Sequence, residues 1–139
     1  EARDIALAHA AIAREIQRNN RPFTKPCLLL SGGETTVTLR QKGRGGRNSE
    51  FLLAFALAVE GMSGIMALAA DTDGIDGSED NAGAFADGAT CDAMRAAGID
   101  PADALAQNDS WAAFKASKSL FVPGPTGTNV NDFRAILIR

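Results

Sequence analysis

Ile65-Met66-Ala67-Leu68-Ala69-Ala70-Asp71-Thr72-Asp73-Gly74-Ile75-Asp76-Gly77 runs from six apolar residues straight into a loop that carries three carboxylates within six positions. A short, continuous apolar run ended by glycines reads as a buried strand, with the acidic loop at its end. An ordinary turn does not need so much negative charge, because like charges repel and the repulsion must be offset by a cation, by backbone donors or by water. Residues 71–77 are therefore a candidate site. A calcium EF-hand is excluded by spacing: the fifth and twelfth positions counted from Asp71 are Ile75 and Ala82, where that loop requires carboxylates.

Working outward, three more polar, glycine-rich junctions share this look: Ser31-Gly32-Gly33-Glu34, Lys42-Gly43-Arg44-Gly45-Gly46-Arg47-Asn48 and Gly124-Pro125-Thr126-Gly127-Thr128-Asn129. Each borders an apolar element. In open α/β domains such loops are where ligands bind, since their amides are free and glycine permits close approach. Four of them in 139 residues predict one shared cleft.

Composition sets the frame for that cleft. With 139 residues, 45% of them hydrophobic and 22% charged, the chain has material for one core and is not disordered. A net charge of -3, one Trp and no Tyr argue against a nucleic-acid surface. Residues 51–70 carry a single charge, Glu60, yet Gly61 and Gly64 break the window; a turn in mid-bilayer would leave backbone groups unpaired, so a buried helix and a buried strand are expected instead of a membrane span. The N-terminus alternates in charge and lacks the apolar core of a signal peptide, so a cytoplasmic location is expected. Cys27 and Cys91 have no CxxC spacing and no histidine at metal spacing, and read as two reduced, buried thiols.

Periodicity predicts a leading helix over residues 4–18, capped by Asp4, with Ile5, Ala8, Ile12 and Ile16 on one face. Residues 27–30 and 35–40 read as two strands around the Ser-Gly-Gly-Glu turn, as a hairpin or tight corner. Residues 48–59, apolar nearly all round, read as a buried helix. Helices follow over 91–97, with Gly98 as cap, then 101–107 and 110–116, and the last strands over 120–122 and 133–138. Strands alternating with helices, with one antiparallel pair, give an α/β fold: a mixed β-sheet flanked by helices in a single compact domain.

Five motifs in this order resemble the MOFRL domain, the C-terminal domain of type II glycerate kinases: Gly32-Gly33-Glu34-Thr35-Thr36-Val37, Gly43-Arg44-Gly45-Gly46-Arg47-Asn48 with Glu50, Asp71 to Gly77 as quoted, Asn108-Asp109-Ser110, and Gly124-Pro125-Thr126-Gly127-Thr128-Asn129-Val130-Asn131-Asp132. The resemblance runs over residues 27–139. The same family includes proteins labelled hydroxypyruvate reductase of the tartrate-degradation type. Ser49 stands where the family often has Gln, and Trp111 where Tyr is common.

The resemblance implies phosphorylation of D-glycerate by ATP and Mg²⁺, giving 2-phosphoglycerate, in a cleft shared with an N-terminal Rossmann-like domain that this chain lacks; residues 1–18 would lead out of that domain. Arg47, entering a helix after two glycines, suits a transition-state or substrate-carboxylate role, with helix-terminal amides facing an anion beside it. Asp71 and Asp73 suit Mg²⁺, with Asp76 as a third carboxylate, or else these groups cap the loop and the following helix. Gly32, Gly33, Glu34, Arg44, Asn48, Thr126, Gly127, Thr128, Asn129 and Asn131 are the candidate substrate and nucleotide contacts. The turn at Glu34 could instead pair with Arg40 or Arg44, and the 126–131 loop could simply lock the last strand. Asn108 to Ser110 reads as a helix cap, and His9 as a surface residue with no nucleophile beside it. Two other functions stand beside the kinase. An NAD(P)H-dependent reductase would show Gly-x-Gly-x-x-Gly, absent from these residues; a non-catalytic docking domain would merely close over its partner.

Overall fold

Strand β2 (Ile65–Asp71) forms on the apolar run and extends one residue further, so that Asp71 is its last residue. The computed structural model describes residues 1–139. On either side of β2 lie β5 (Asp132–Ile138) and β3 (Gly83–Asp87), with β1 (Cys27–Gly32) and β4 (Leu120–Phe121) at the edges, in the order β1-β5-β2-β3-β4. The α/β class and the helix-flanked sheet are as expected. The mixture of strand directions is not: all four ladders are antiparallel. The reason is an insertion. β1 and β2 run parallel to each other and are joined through a helix, as in a βαβ unit, but β5 slots between them and pairs antiparallel with both.

That insertion also removes the expected hairpin. β1 spends its ladder on β5, from Cys27 opposite Ile138 to Gly32 opposite Phe133. Residues 35–40 are not a strand; they cross the start of helix α1 (Ala2–Asn19), where Ala2 N–H donates to the Thr36 carbonyl at 2.8 Å and Thr38 donates through N–H and Oγ1 to the Glu1 carboxylate. Strand β3 lies on a run of small apolar residues, Ala82-Gly83-Ala84-Phe85-Ala86, with no β-branched residue to mark it as a strand. It forms because β2 has a second edge whose backbone groups must be paired.

Helix α2 (Arg47–Ala58) is buried nearly all round, as its composition predicts, with Phe51, Leu52, Leu53 and Phe55 fully inside. α1 packs on it, but not through the predicted face. The buried stripe is Ala2, Ala6, Ala10, Ala13 and Ile16, while Ile5 and Ile12 are exposed. Small side chains let α1 lie close to the bulky α2, and that fit outweighs the burial of two isoleucines. The remaining helices, α3 (Thr90–Ala96), α4 (Pro101–Ala106) and α5 (Ser110–Ala116), follow the predicted positions; Asp100 caps α4 by accepting from Ala102 and Asp103 N–H. No helix is long and apolar enough to cross a membrane.

Both cysteines are free, Cys91 buried and Cys27 half-buried. Burial pushes the Cys91 thiol up to about 11. A thiol reagent at about pH 8 should therefore modify Cys27 on the order of 10²-fold faster than Cys91, read by mass spectrometry. Equal rates would show that α3 opens readily.

Candidate functional site

Arg47 is the first residue of α2, and its guanidinium ties three elements together at one end of the sheet. Nε donates to Asp132 Oδ1 at 2.8 Å, where β5 begins, and Nη2 to Asp71 Oδ2 at 2.5 Å, where β2 ends. Nη1 lies 3.5 Å from Glu34 Oε1 in the turn after β1, so Glu34 pairs with Arg47 and not with Arg40 or Arg44. Burial works against the charge on Arg47, but Asp132, Asp71 and Glu34 hold its pKa above the ordinary value. The side chain keeps 26% of its surface exposed, and Glu34 is the exposed partner.

The amides at the start of α2 do face an anion, and that anion is Asp76. Its Oδ1 accepts from Asn48 N–H at 2.9 Å and Asn48 Nδ2 at 3.3 Å; its Oδ2 accepts from Ser49 N–H at 2.8 Å and Ser49 Oγ at 2.7 Å. Burial pushes the Asp76 carboxyl up, while those four donors favour its charged form. The glycine pair makes the approach possible: a Cβ at Gly46 would sit 2.4 Å from Asp76 Oδ1.

Consequently the three carboxylates of the acidic loop do not gather. No group of three or more His, Cys, Asp or Glu side chains is placed to hold a metal ion. Asp76 is turned into α2, with both oxygens occupied. Asp71 and Asp73 remain neighbours at the end of β2: Asp71 Oδ1 accepts from Asp73 N–H at 3.1 Å, and Asp73 Oδ1 from Ile75 N–H at 2.9 Å. Burial first, and the Asp73 charge after it, push the Asp71 carboxyl up, and Arg47 pulls it back. Two crowded carboxylates with lone pairs to spare fit Mg²⁺, which takes one or two of them and keeps several waters.

The 124–131 loop is sewn onto the acidic loop. Thr126 N–H donates to the Asp73 carbonyl at 3.2 Å, Thr72 Oγ1 to the Asn131 carbonyl at 2.7 Å, and Asn129 Nδ2 to Asp73 Oδ2 at 3.3 Å. Gly74 (φ 98°) allows this, since a Cβ there would meet the Gly124 carbonyl oxygen at 2.3 Å. Gly127, Thr128 and Asn129 stay exposed at its tip, and Gly32 and Gly33 are exposed beside Glu34. Two expected contact residues are placed elsewhere. Asn48 is fully buried and spends its amide on Asp76 and Asp132, and the Arg44 guanidinium lies over the Trp111 ring, 4.0 Å from its centroid. The expected side-chain cap of α5 does not form: Asn108 clamps residues 40 and 41 and donates to Glu50 Oε2 at 2.8 Å, and Asp109, at the cap position, accepts from Arg44 N–H at 3.0 Å instead.

Asp132 and Arg134 carry the site without having been singled out. Asp132 stands opposite Asp71 in the β2–β5 ladder, and Arg134 Nη2 donates to Asp132 Oδ2 at 2.9 Å and to the Gly33 carbonyl at 3.3 Å. Burial lowers the Arg134 pKa, which Asp132 opposes. Only the strand register reveals the first; the alternation of β5 places the second on the covered face. His9 also differs from expectation: its Nε2 is 2.8 Å from Ser31 Oγ and its Nδ1 2.8 Å from the Ile5 carbonyl. A carbonyl can only accept, so Nδ1 carries the proton and Ser31 donates to Nε2 in the neutral ring.

Comparison with known proteins gives this geometry a context. The model of the MOFRL family matches residues 27–132. A protein of Agrobacterium vitis, named with a provisional qualifier as a hydroxypyruvate reductase, is 54% identical over 99% of this chain and 36% of its own length. The D-glycerate 2-kinase of Thermotoga maritima is 46% identical over 95% of this chain and 32% of its own. A crystal structure of glycerate kinase from Thermotoga maritima superposes with a TM-score of 0.98 at 45% identity, covering 100% of this chain and 34% of that one. The chain thus spans about a third of the length of these relatives.

Proposed function

This chain belongs to the MOFRL family, and from that premise we propose that it is the C-terminal domain of an ATP-dependent D-glycerate kinase, a glycerate 2-kinase of the cytoplasm. It supplies one wall of an active site whose other wall is an N-terminal Rossmann-like domain. The observation that carries this reading is the position of Arg47, gripped by Asp71 and Asp132 while its Nη1 faces only the exposed Glu34. Two buried carboxylates fix the direction of the guanidinium, and an incoming phosphoryl or carboxylate oxygen has one exposed competitor to displace. Mg²⁺ at Asp71 and Asp73 would neutralise charge on the ATP phosphates. The chain's own residues do the rest: Arg47 binds the anion whose charge is spread in transfer, the Gly32-Gly33 turn allows close approach, and the Thr126 to Asn131 loop offers hydroxyl and amide donors.

The name carried by the Agrobacterium vitis relatives favours a second reading, an NAD(P)H-dependent hydroxypyruvate reductase. One pair of assays on the full-length protein separates the two. ADP release that requires D-glycerate, ATP and Mg²⁺ is the expected result; NADH oxidation by hydroxypyruvate without ATP consumption would overturn it. The 139-residue chain alone is expected to show no turnover, because half of the cleft is missing.

A further inference from the structure

The helices α1 and α2 cover one face of the sheet, and the other face is apolar as well. Leu28 and Leu30 on β1, Met66 and Leu68 on β2, Phe85 on β3 and Phe133 on β5 share it, with Leu28, Leu30 and Met66 exposed at 54%, 60% and 46%. The cross-strand rows are continuous. Leu30, Ala135, Leu68 and Phe85 stand side by side, and Phe85 meets Phe121 edge-on at 5.4 Å between ring centroids. An antiparallel sheet with one face in water alternates apolar and polar residues; this one alternates apolar and apolar, the pattern of a sheet covered on both sides. A groove of about 450 Å³ runs along the face, bordered by Thr90 and Ala93 of α3.

We propose that this face is the docking surface for two helices contributed by the polypeptide that the relatives carry beyond the third of their length spanned here, making a second helical layer. Size favours that occupant over a second copy. Four strands of five to seven residues with the two-residue β4 at their edge, spaced about 4.8 Å apart, present a face of roughly 20 Å by 20 Å, about 400 Å² in projection. Two such faces together would bury about 800 Å², short of the roughly 1,200–2,000 Å² of a stable specific interface. Two helices packed about 10 Å apart match the width instead. Position favours it too: Phe133 and Gly32 at the end of the face adjoin Asp132 and Gly33, so the same polypeptide that covers the sheet reaches the rim of the cleft. The proposal rests on the reading of this chain as one domain of a longer protein and is independent of the phosphoryl-transfer chemistry.

Met66 is a built-in probe. In the full-length protein, oxidation by hydrogen peroxide read by mass spectrometry should be at least about tenfold slower at Met66 than in the urea-unfolded protein, as slow as at the buried Met94, and independent of protein concentration. A photo-crosslinking residue in place of Leu30 should then join, within one polypeptide, to a segment outside these 139 residues. Fast oxidation of Met66 in the folded protein would overturn the proposal. So would protection that appears only on dimerisation with crosslinks between two copies of position 30, which would assign the face to a second copy. Loss or retention of kinase activity bears on neither outcome.

Discussion

Arg47→Ala in the full-length protein should lower glycerate phosphorylation by about 10³-fold at saturating substrate, the scale on which a transition-state arginine acts. The side chain also has a structural partner set, so the result needs a control. Removing it leaves the nearly buried Asp71 with an unopposed charge and Asp132 with Arg134 alone, and breaking such a pair from one side costs roughly 3–5 kcal/mol. A melting curve beside the assay separates the two effects. Arg47→Lys sharpens the test, because an ammonium is a single point of charge and cannot hold two carboxylates in a fork while offering a third edge to an anion. The expected pattern is a fully folded Lys variant with most of the rate lost. A variant that melts lower yet turns over at nearly the normal rate would make the domain a docking element and remove Arg47 from the chemistry.

The second large effect is expected in stability, at Asp76. Asp76→Ala removes the acceptor of four hydrogen bonds from Asn48 and Ser49, two of them from backbone amides at the start of α2, in a place that water does not reach. Each buried donor left without a partner costs about 1–3 kcal/mol, so a loss of about 3 kcal/mol or more is expected. That is a large part of the roughly 5–15 kcal/mol that holds a domain together. Trp111 is the single tryptophan and sits against the glycine loop, so its fluorescence in a urea titration reports the change. The loss should be the same with and without Mg²⁺. A loss seen only when Mg²⁺ is present would return Asp76 to the set of metal ligands.

The contrast between Arg47 and Asp76 shows how far the acidic loop could be read. Three carboxylates in six positions do announce an unusual demand for positive partners, and it is met by a cation for one of them and by backbone donors for the other two. Asp76 takes backbone donors, Asp71 takes Arg47, and Asp73 takes the amides of Ile75 and of the Asn129 side chain. Spacing along the chain could not divide them, because the division depends on which way the strand end turns relative to a helix that begins 24 residues before Asp71. Asp132 was hidden for a similar reason. It is the last residue of a recognisable motif, but only its register opposite Asp71 places it against Arg47.

Local pattern sufficed for β2, for the largely apolar α2, for the last helices and for the four glycine-rich junctions, since periodicity and glycines act over a few residues and leave their mark there. It also sufficed for the family, whose motifs are local strings in a set order. The insertion of β5 between β1 and β2, the strand at residues 83–87, the alanine stripe of α1 and the destination of Asp76 lay beyond it. Each of these depends on which distant surface offers an unpaired edge, a close fit or a free donor, and such pairings are chosen by the free energy of the assembled domain and not by any neighbouring residue.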